Sequence, residues 1–193
     1  MDLKDLALDQ YHRCWFNSGL RYLLHSGPVQ DTGSSRSSEI TTRESFPEPW
    51  NSIWVNITPP VRFVLTYMEL ADDLQLSNQA DQNRIQLFRN IMDALNLPSE
   101  QRVFWPINRI KKSQWEEQTE IFWNGIEGMN PNYIICFGEN VFKRLFPDRH
   151  LNYGQFTTET NLQVLFLPGP ERMLPDNREV KKQVWNFLKQ FKA

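Results

Sequence analysis

Apolar and polar positions divide this chain into three zones. Residues 1–25 cluster rings and leucines: Leu3, Leu6, Leu8, Tyr11, Trp15, Phe16, Leu20, Tyr22, Leu23 and Leu24. Residues 26–49 lose that pattern. Their sequence, SGPVQDTGSSRSSEITTRESFPEP, is rich in Ser, Thr, Gly and Pro and reads as a flexible linker. From Trp50 a regular pattern sets in, which marks 50–193 as the folded domain.

Within that domain the periods alternate. SIWVNI at 52–57 alternates apolar and polar positions and predicts an edge or half-buried strand. TPP turns the chain into a second strand, VRFVLTYM. Residues 83–96 follow as a helix with Ile85, Phe88, Ile91, Met92 and Leu95 on one face, stopped by Asn96-Leu97-Pro98. RVFWPI predicts the next strand. Ser113 and Glu116 form a capping-box signature for a helix carrying Trp115, Phe122, Ile126 and Met129. NPNYIICFG predicts a buried strand that runs into the short helix ENVFKRLF. NLQVLFL predicts the last strand, and Asp176 with Glu179 an acidic version of the box for a closing helix. Its Val180, Val184, Phe187, Leu188 and Phe191 would pack on the sheet.

Strands separated by helices predict an α/β fold: a three-layer α/β/α domain with a mostly parallel central sheet. In such a fold ligands sit outside the carboxyl ends of the strands. Any site should then draw on 66–76, 106–112, 138–140 and 167–173.

Composition narrows the partners. The chain has 193 residues, of which 40% are hydrophobic, with seven Trp and thirteen Phe, so a ring-rich core or interface is expected. Net charge is -2, and residues 1–49 hold 5 basic and 7 acidic groups, which leaves the rest balanced. A duplex binder usually carries a basic excess, because displaced counterions supply much of its affinity. Arg109, Lys111 and Lys112 are the local exception. Lys111-Lys112 and Lys181-Lys182 read as solvated faces.

Cys14 and Cys136 are too few for a disulfide framework or a four-thiolate cluster. Cys136, inside YIICF, reads as a buried inert thiol. His12, His25 and His150 are scattered without metal-ligand spacing. No metal, cofactor or catalytic set is therefore expected. The mixed, acidic start reads as no signal peptide, and no apolar run nears a membrane span. A cytoplasmic location is the expectation.

The residues 167–170, Leu-Pro-Gly-Pro, lie between a buried strand and an amphipathic Lys/Trp helix. This strand, proline-flanked turn and helix resemble the last motif of the uracil-DNA glycosylase superfamily. In active members the turn carries a His within His-Pro-Ser; here it carries none. The turn after the first strand, Thr66-Tyr67-Met68-Glu69-Leu70, also lacks the Gly-rich acidic pattern. The resemblance implies a glycosylase-like fold kept as a scaffold. Its vestigial pocket would comprise Tyr67 as a stacking ring, Glu69, Asp72 or Asp73 to orient a water, Asn108 to read a base, and Pro168, Gly169 and Arg172 at the turn.

Three runs sharpen it: SIWVNITPPVRFVLTYMEL, LFRNIMDALNLPSEQRVFWPINRI and LPGPERMLPDNREVKKQVW. They resemble the psi-subunit family of bacterial DNA polymerase III. That resemblance implies a non-catalytic accessory of DNA replication, bridging clamp-loader subunits to a chi-like subunit and touching single-stranded DNA only indirectly. It also implies a partner-binding role for Trp15, with Phe16 and Leu20 beside it. From the residues alone, the apolar set Trp15, Phe16, Leu20, Tyr22, Leu23 and Leu24 has two readings. It is a helix docked on the domain's own sheet, or a peptide that seats aromatic anchors in a partner's groove. Two rival functions remain: a divergent glycosylase acting through Glu69 or Asp72, and a single-stranded-DNA binder using exposed rings.

Overall fold

The computed structural model describes residues 46–75, 80–111 and 114–192. The anchors Trp15, Phe16, Leu20, Tyr22, Leu23 and Leu24 lie outside the described residues.

In chain order the elements are α1 (Trp50–Trp54), β1 (Phe63–Tyr67), α2 (Leu70–Gln75), α3 (Gln82–Leu95), β2 (Arg102–Phe104) and β3 (Asn108–Lys111). There follow β4 (Gln114–Glu117), α4 (Thr119–Met129), β5 (Tyr133–Phe137), α5 (Glu139–Leu145), β6 (Gly154–Thr157), β7 (Gln163–Leu167), α6 (Pro170–Met173) and α7 (Arg178–Leu188). A five-stranded sheet runs β2-β1-β5-β7-β6, parallel except for the antiparallel edge strand β6. The fold is therefore α/β with a mostly parallel central sheet. β3 and β4 form a separate antiparallel hairpin.

The middle strands are apolar throughout because both faces are covered. All five residues of β1 are buried, as are four of five in β5 and in β7. Side chains alternate across a strand, and the rings show where each face goes. Tyr67 stacks on Phe88 of α3 at 4.2 Å, and Phe137 meets the same ring edge-on at 5.0 Å. Phe63 and Tyr133 meet Phe191, just beyond α7. From the alternate positions, Phe166 of β7 stacks on Phe142 of α5 at 4.0 Å.

Helix ends follow from local chemistry. Asp81 caps α3, accepting from the amides of Asn83 and Arg84. Asn96 and Asn130 close α3 and α4 in the left-handed conformation, which Asn tolerates better than most residues. In α4, Gly125 leaves room for Trp105: a Cβ there would sit 2.3 Å from the indole. Gly128 does the same for Trp54 at 2.6 Å. Phe46 meets both indoles edge-on or nearly so, at 5.0 and 5.5 Å.

Three sequence expectations need correction, and one strand was not foreseen. Residues 52–57 are not a strand. Trp50 and Ile53 are buried at helical spacing in α1, while Val55 is 63% exposed. The Trp50 indole donates to Pro106 O at 2.7 Å, which fixes the short helix over the end of β2. No helix opens at Glu116, and Ser113 lies outside the described residues. Glu116 sits in β4, where Arg109 takes its carboxylate, and α4 starts only at Thr119. At the last helix Asn177, not Asp176, accepts from the Val180 amide. Asp176 instead takes the Lys181 ammonium at 2.9 Å. Finally, β6 went unforeseen, since GQFT contributes a single apolar side chain.

Candidate functional site

β1 has β2 on one side and β5 on the other, so the chain leaves it in opposite directions. At such a switch point α/β folds place ligands outside the carboxyl ends of the strands. The loops after β1, β5 and β7 meet there, with Asn108 of β3 beside them. Tyr67, Glu69, Asp72, Asn108, Pro168, Gly169 and Arg172 thus all lie at the carboxyl end of the sheet.

Two glycines allow the loops to close. Gly138 has φ of 98°, a left-handed value that disfavours any Cβ, and its amide donates to Leu167 O at 2.9 Å. Gly169 lies against it. A Cβ on Gly169 would come 2.1 Å from Glu171 Oε2, so the Glu171 carboxylate folds back over the Gly169 backbone.

The polar side chains are largely engaged with one another. Asp73, fully buried, accepts Arg84 Nε and Nη2 at 2.6 Å each, the Tyr67 hydroxyl at 2.8 Å and the Asp81 amide at 3.1 Å. This bidentate pair is the strong form of a carboxylate–guanidinium contact. Burial, then the Asp73 charge, holds the Tyr67 phenol well above its ordinary range. Tyr67 is 1% exposed with one ring face on Phe88, so it offers no open platform for a base. Asp72 is buried and accepts the Trp115 indole N–H at 2.7 Å, which ties the β3–β4 hairpin to α2.

Arg172 is engaged with Tyr153 and Glu139. Its Nη1 donates to the Tyr153 hydroxyl at 2.7 Å and lies 3.6 Å from Glu139. The Tyr153 hydroxyl in turn donates to Glu139 at 3.0 Å. No charge pattern in the sequence joined Tyr153 to Arg172, because they lie nineteen residues apart and meet only through the β6–β7 pairing. Glu171, adjacent to Arg172, was also missed, although its position could have been read directly from the sequence.

Among the described residues at this end of the sheet, Glu69, Asn108 and Thr66 each keep a side-chain oxygen without a hydrogen-bond partner. Glu69 is half-buried and its Oε2 has no hydrogen-bond partner among the described residues. Burial holds its carboxyl above the usual range; its own backbone amide and Arg84 oppose this, and Glu171 and Asp73 reinforce it. Asn108 is fully buried; its Nδ2 donates to Met68 O at 3.0 Å, which orients the amide, and its Oδ1 has no partner among the described residues.

Elsewhere, Cys136 is buried and desolvation pushes its thiol far up. His150 is exposed in a loop, and His12, His25 and Cys14 lie outside the described residues. Among the described residues no group of three or more His, Cys, Asp or Glu could hold a metal ion, and no helix is long and apolar enough to cross a membrane. No protein-family model matches the chain, and no curated protein does.

Proposed function

We propose that this chain is a non-catalytic accessory protein of DNA replication, of psi-subunit type, joining the clamp loader of DNA polymerase III to a chi-like partner. The observation that carries the non-catalytic half is the charge at the carboxyl ends of the strands. Expelling a base from its sugar leaves an anion that needs donors or positive charge close by. Here the turn after β7 offers the Glu171 carboxylate, which adds to the burial that holds the Glu69 carboxyl up, with the Arg84 charge opposing it. The nearest cations are already paired, Arg84 with Asp73 and Arg172 with Glu139 and Tyr153.

The bridging half rests on chain organisation. A ring-rich segment, a Ser-rich tether and a packed α/β core follow one another. One tether joining two modest interfaces raises the effective concentration of the second contact. Pull-down of clamp-loader subunits by the intact chain tests it. Trp15→Ala should cut capture at least tenfold, since buried aromatic anchors commonly contribute about 2 kcal/mol or more. Undiminished capture by that variant would remove the anchor from the scheme.

One observation favours a rival, a divergent glycosylase. Glu69 Oε2 and Asn108 Oδ1 are both unpartnered at the carboxyl end of the sheet. Incubation with DNA containing uracil, hypoxanthine or xanthine distinguishes the two. The expected result is no abasic sites; turnover abolished by Glu69→Gln would establish the enzyme instead.

A further inference from the structure

An apolar groove of about 260 Å³ runs between α3 and α7. Met173, Val184 and Leu188 form its buried floor, and Leu87, Ile91 and Trp185 its half-buried walls. Three physical facts narrow what can fill it. Both walls are helices whose backbone hydrogen bonds are internal, so an occupant must satisfy its own N–H and C=O groups. A helix does so, and an extended peptide does not. No large apolar side chain of α3 or α7 is exposed, so a flat lipid surface cannot reach the floor, whereas a ridge of side chains can. The lining on each helix spans about two turns, Leu87 to Ala94 and Lys181 to Leu188, which suits apolar anchors at i, i+3 or i+4, and i+7.

The rims set the charge. At 100° per residue, Arg178, Lys181, Lys182 and Lys189 fall on the Trp185 side of α7, and Glu179 falls on the opposite side. Asp176 answers only Lys181 and Arg178, at 2.9 and 3.4 Å. The α3 rim carries the amides Asn83, Gln86 and Asn90, with Asp93 beyond them. One flank of the groove is thus cationic and the other neutral, in a chain whose net charge is -2. We propose that the α3–α7 groove docks an amphipathic helix of another protein, apolar on one face and carrying Asp or Glu along one flank. The apolar ridge of that helix fills the floor formed by Met173, Val184 and Leu188, and its carboxylates lie over Lys181 and Lys182. Complementary charge of this kind selects the partner and its register more than it adds affinity. The inference takes nothing from the proposed function, and capture through Trp15 is a separate measurement.

The test uses the full isotope-labelled chain and a synthetic helical peptide of about four turns, with Leu at i, i+3, i+4 and i+7, Glu along one flank and Gln along the other. A control peptide has Lys in place of each Glu. The Glu peptide should bind saturably, with amide shifts centred on 87–94 and 181–188. The Lys peptide should bind about tenfold more weakly. In the variant carrying Lys181→Glu and Lys182→Glu the order of the two peptides should reverse. Absence of saturable binding, shifts centred elsewhere, equal binding of the two peptides, or an order that survives the reversal would overturn the proposal. So would shifts at 87–94 and 181–188 that follow protein concentration, since a second copy would then be the occupant. Concurrent shifts within 1–45 would also overturn it, because a segment of the chain itself would have been displaced from the groove. Phosphatidylglycerol vesicles that broaden these amides where the Glu peptide does not bind would assign the face to lipid instead.

Discussion

Asp73 shows how much one carboxylate can organise. Four donors converge on it from β1, α3 and the loop before α3. Asp73→Ala removes the carboxylate that pairs with Arg84, itself only 12% exposed. The expected loss is about 3–5 kcal/mol, the usual cost of breaking a buried pair from one side, read from urea unfolding. Glu69 makes the opposite prediction. Its folded-state pKa lies above the unfolded value, so folding favours the neutral form. That stabilisation is complete below the unfolded pKa and is lost as pH rises through the folded one. At neutral pH the buried charge is a burden, and Glu69→Gln should melt higher than the parent. The gap should close as pH falls below about 4.3, the ordinary Glu value. A lower melting temperature for Glu69→Gln at pH 7 would mean that an unseen donor holds the carboxylate. Neither effect was visible in the sequence. The run Glu69-Leu70-Ala71-Asp72-Asp73 reads like an ordinary surface stretch, and Arg84, eleven residues from Asp73, meets it only because α2 and α3 fold together.

At the scale of elements, the pattern of α4 carries a sharp contrast. Gly125 faces Trp105, which is fully buried and whose indole donates to Phe122 O at 3.3 Å. Gly125→Ala should therefore destabilise by about 1–3 kcal/mol through overpacking, despite the better helix propensity of Ala. Gly128 faces Trp54, a half-buried ring with room to shift, so Gly128→Ala should cost clearly less. Equal losses in thermal melts of the two variants would refute this account of the slot. The long helices and inner strands were legible because burial imposes their period: 82–95, 133–137 and 163–167 appear almost where the pattern puts them. Short elements were not. Residues 52–57 alternate like a strand, yet a five-residue helix wins because the Trp50 indole finds Pro106 O. Glu116 suits a helix start equally well in sequence, but a cross-strand Arg109 claims it. When a segment is only four or five residues long, one tertiary contact outweighs its intrinsic preference.

For the whole molecule, the boundary of the folded unit is the quantity at stake. The linker was expected to run to residue 49, yet Phe46 packs on Trp54 and Trp105 and Glu48 accepts the Ser52 hydroxyl at 2.6 Å. Phe46→Ala should then lower the stability of the core by about 1–3 kcal/mol, less than the cost for a fully enclosed Phe. An unchanged unfolding midpoint would return those residues to the tether. The same scale decides what the carboxyl end of the sheet does. The strand ends could be listed from the sequence, and Tyr67, Glu69, Asp72, Asn108, Pro168, Gly169 and Arg172 all come to one end of the sheet. Their engagement could not be listed, because it depends on which neighbour arrives within hydrogen-bond distance. The sequence by itself determined the α/β class, the alternation of its long elements and a turn after β7 that carries no histidine. Those features follow from residue identity and from burial period, which are properties of neighbours along the chain. Tertiary structure alone decided that Tyr67 is a core ring, that Arg172 turns toward Tyr153, and that Glu171 covers Gly169. Each of these is a contact between segments far apart in sequence, and its energy exists only once the sheet has brought them together.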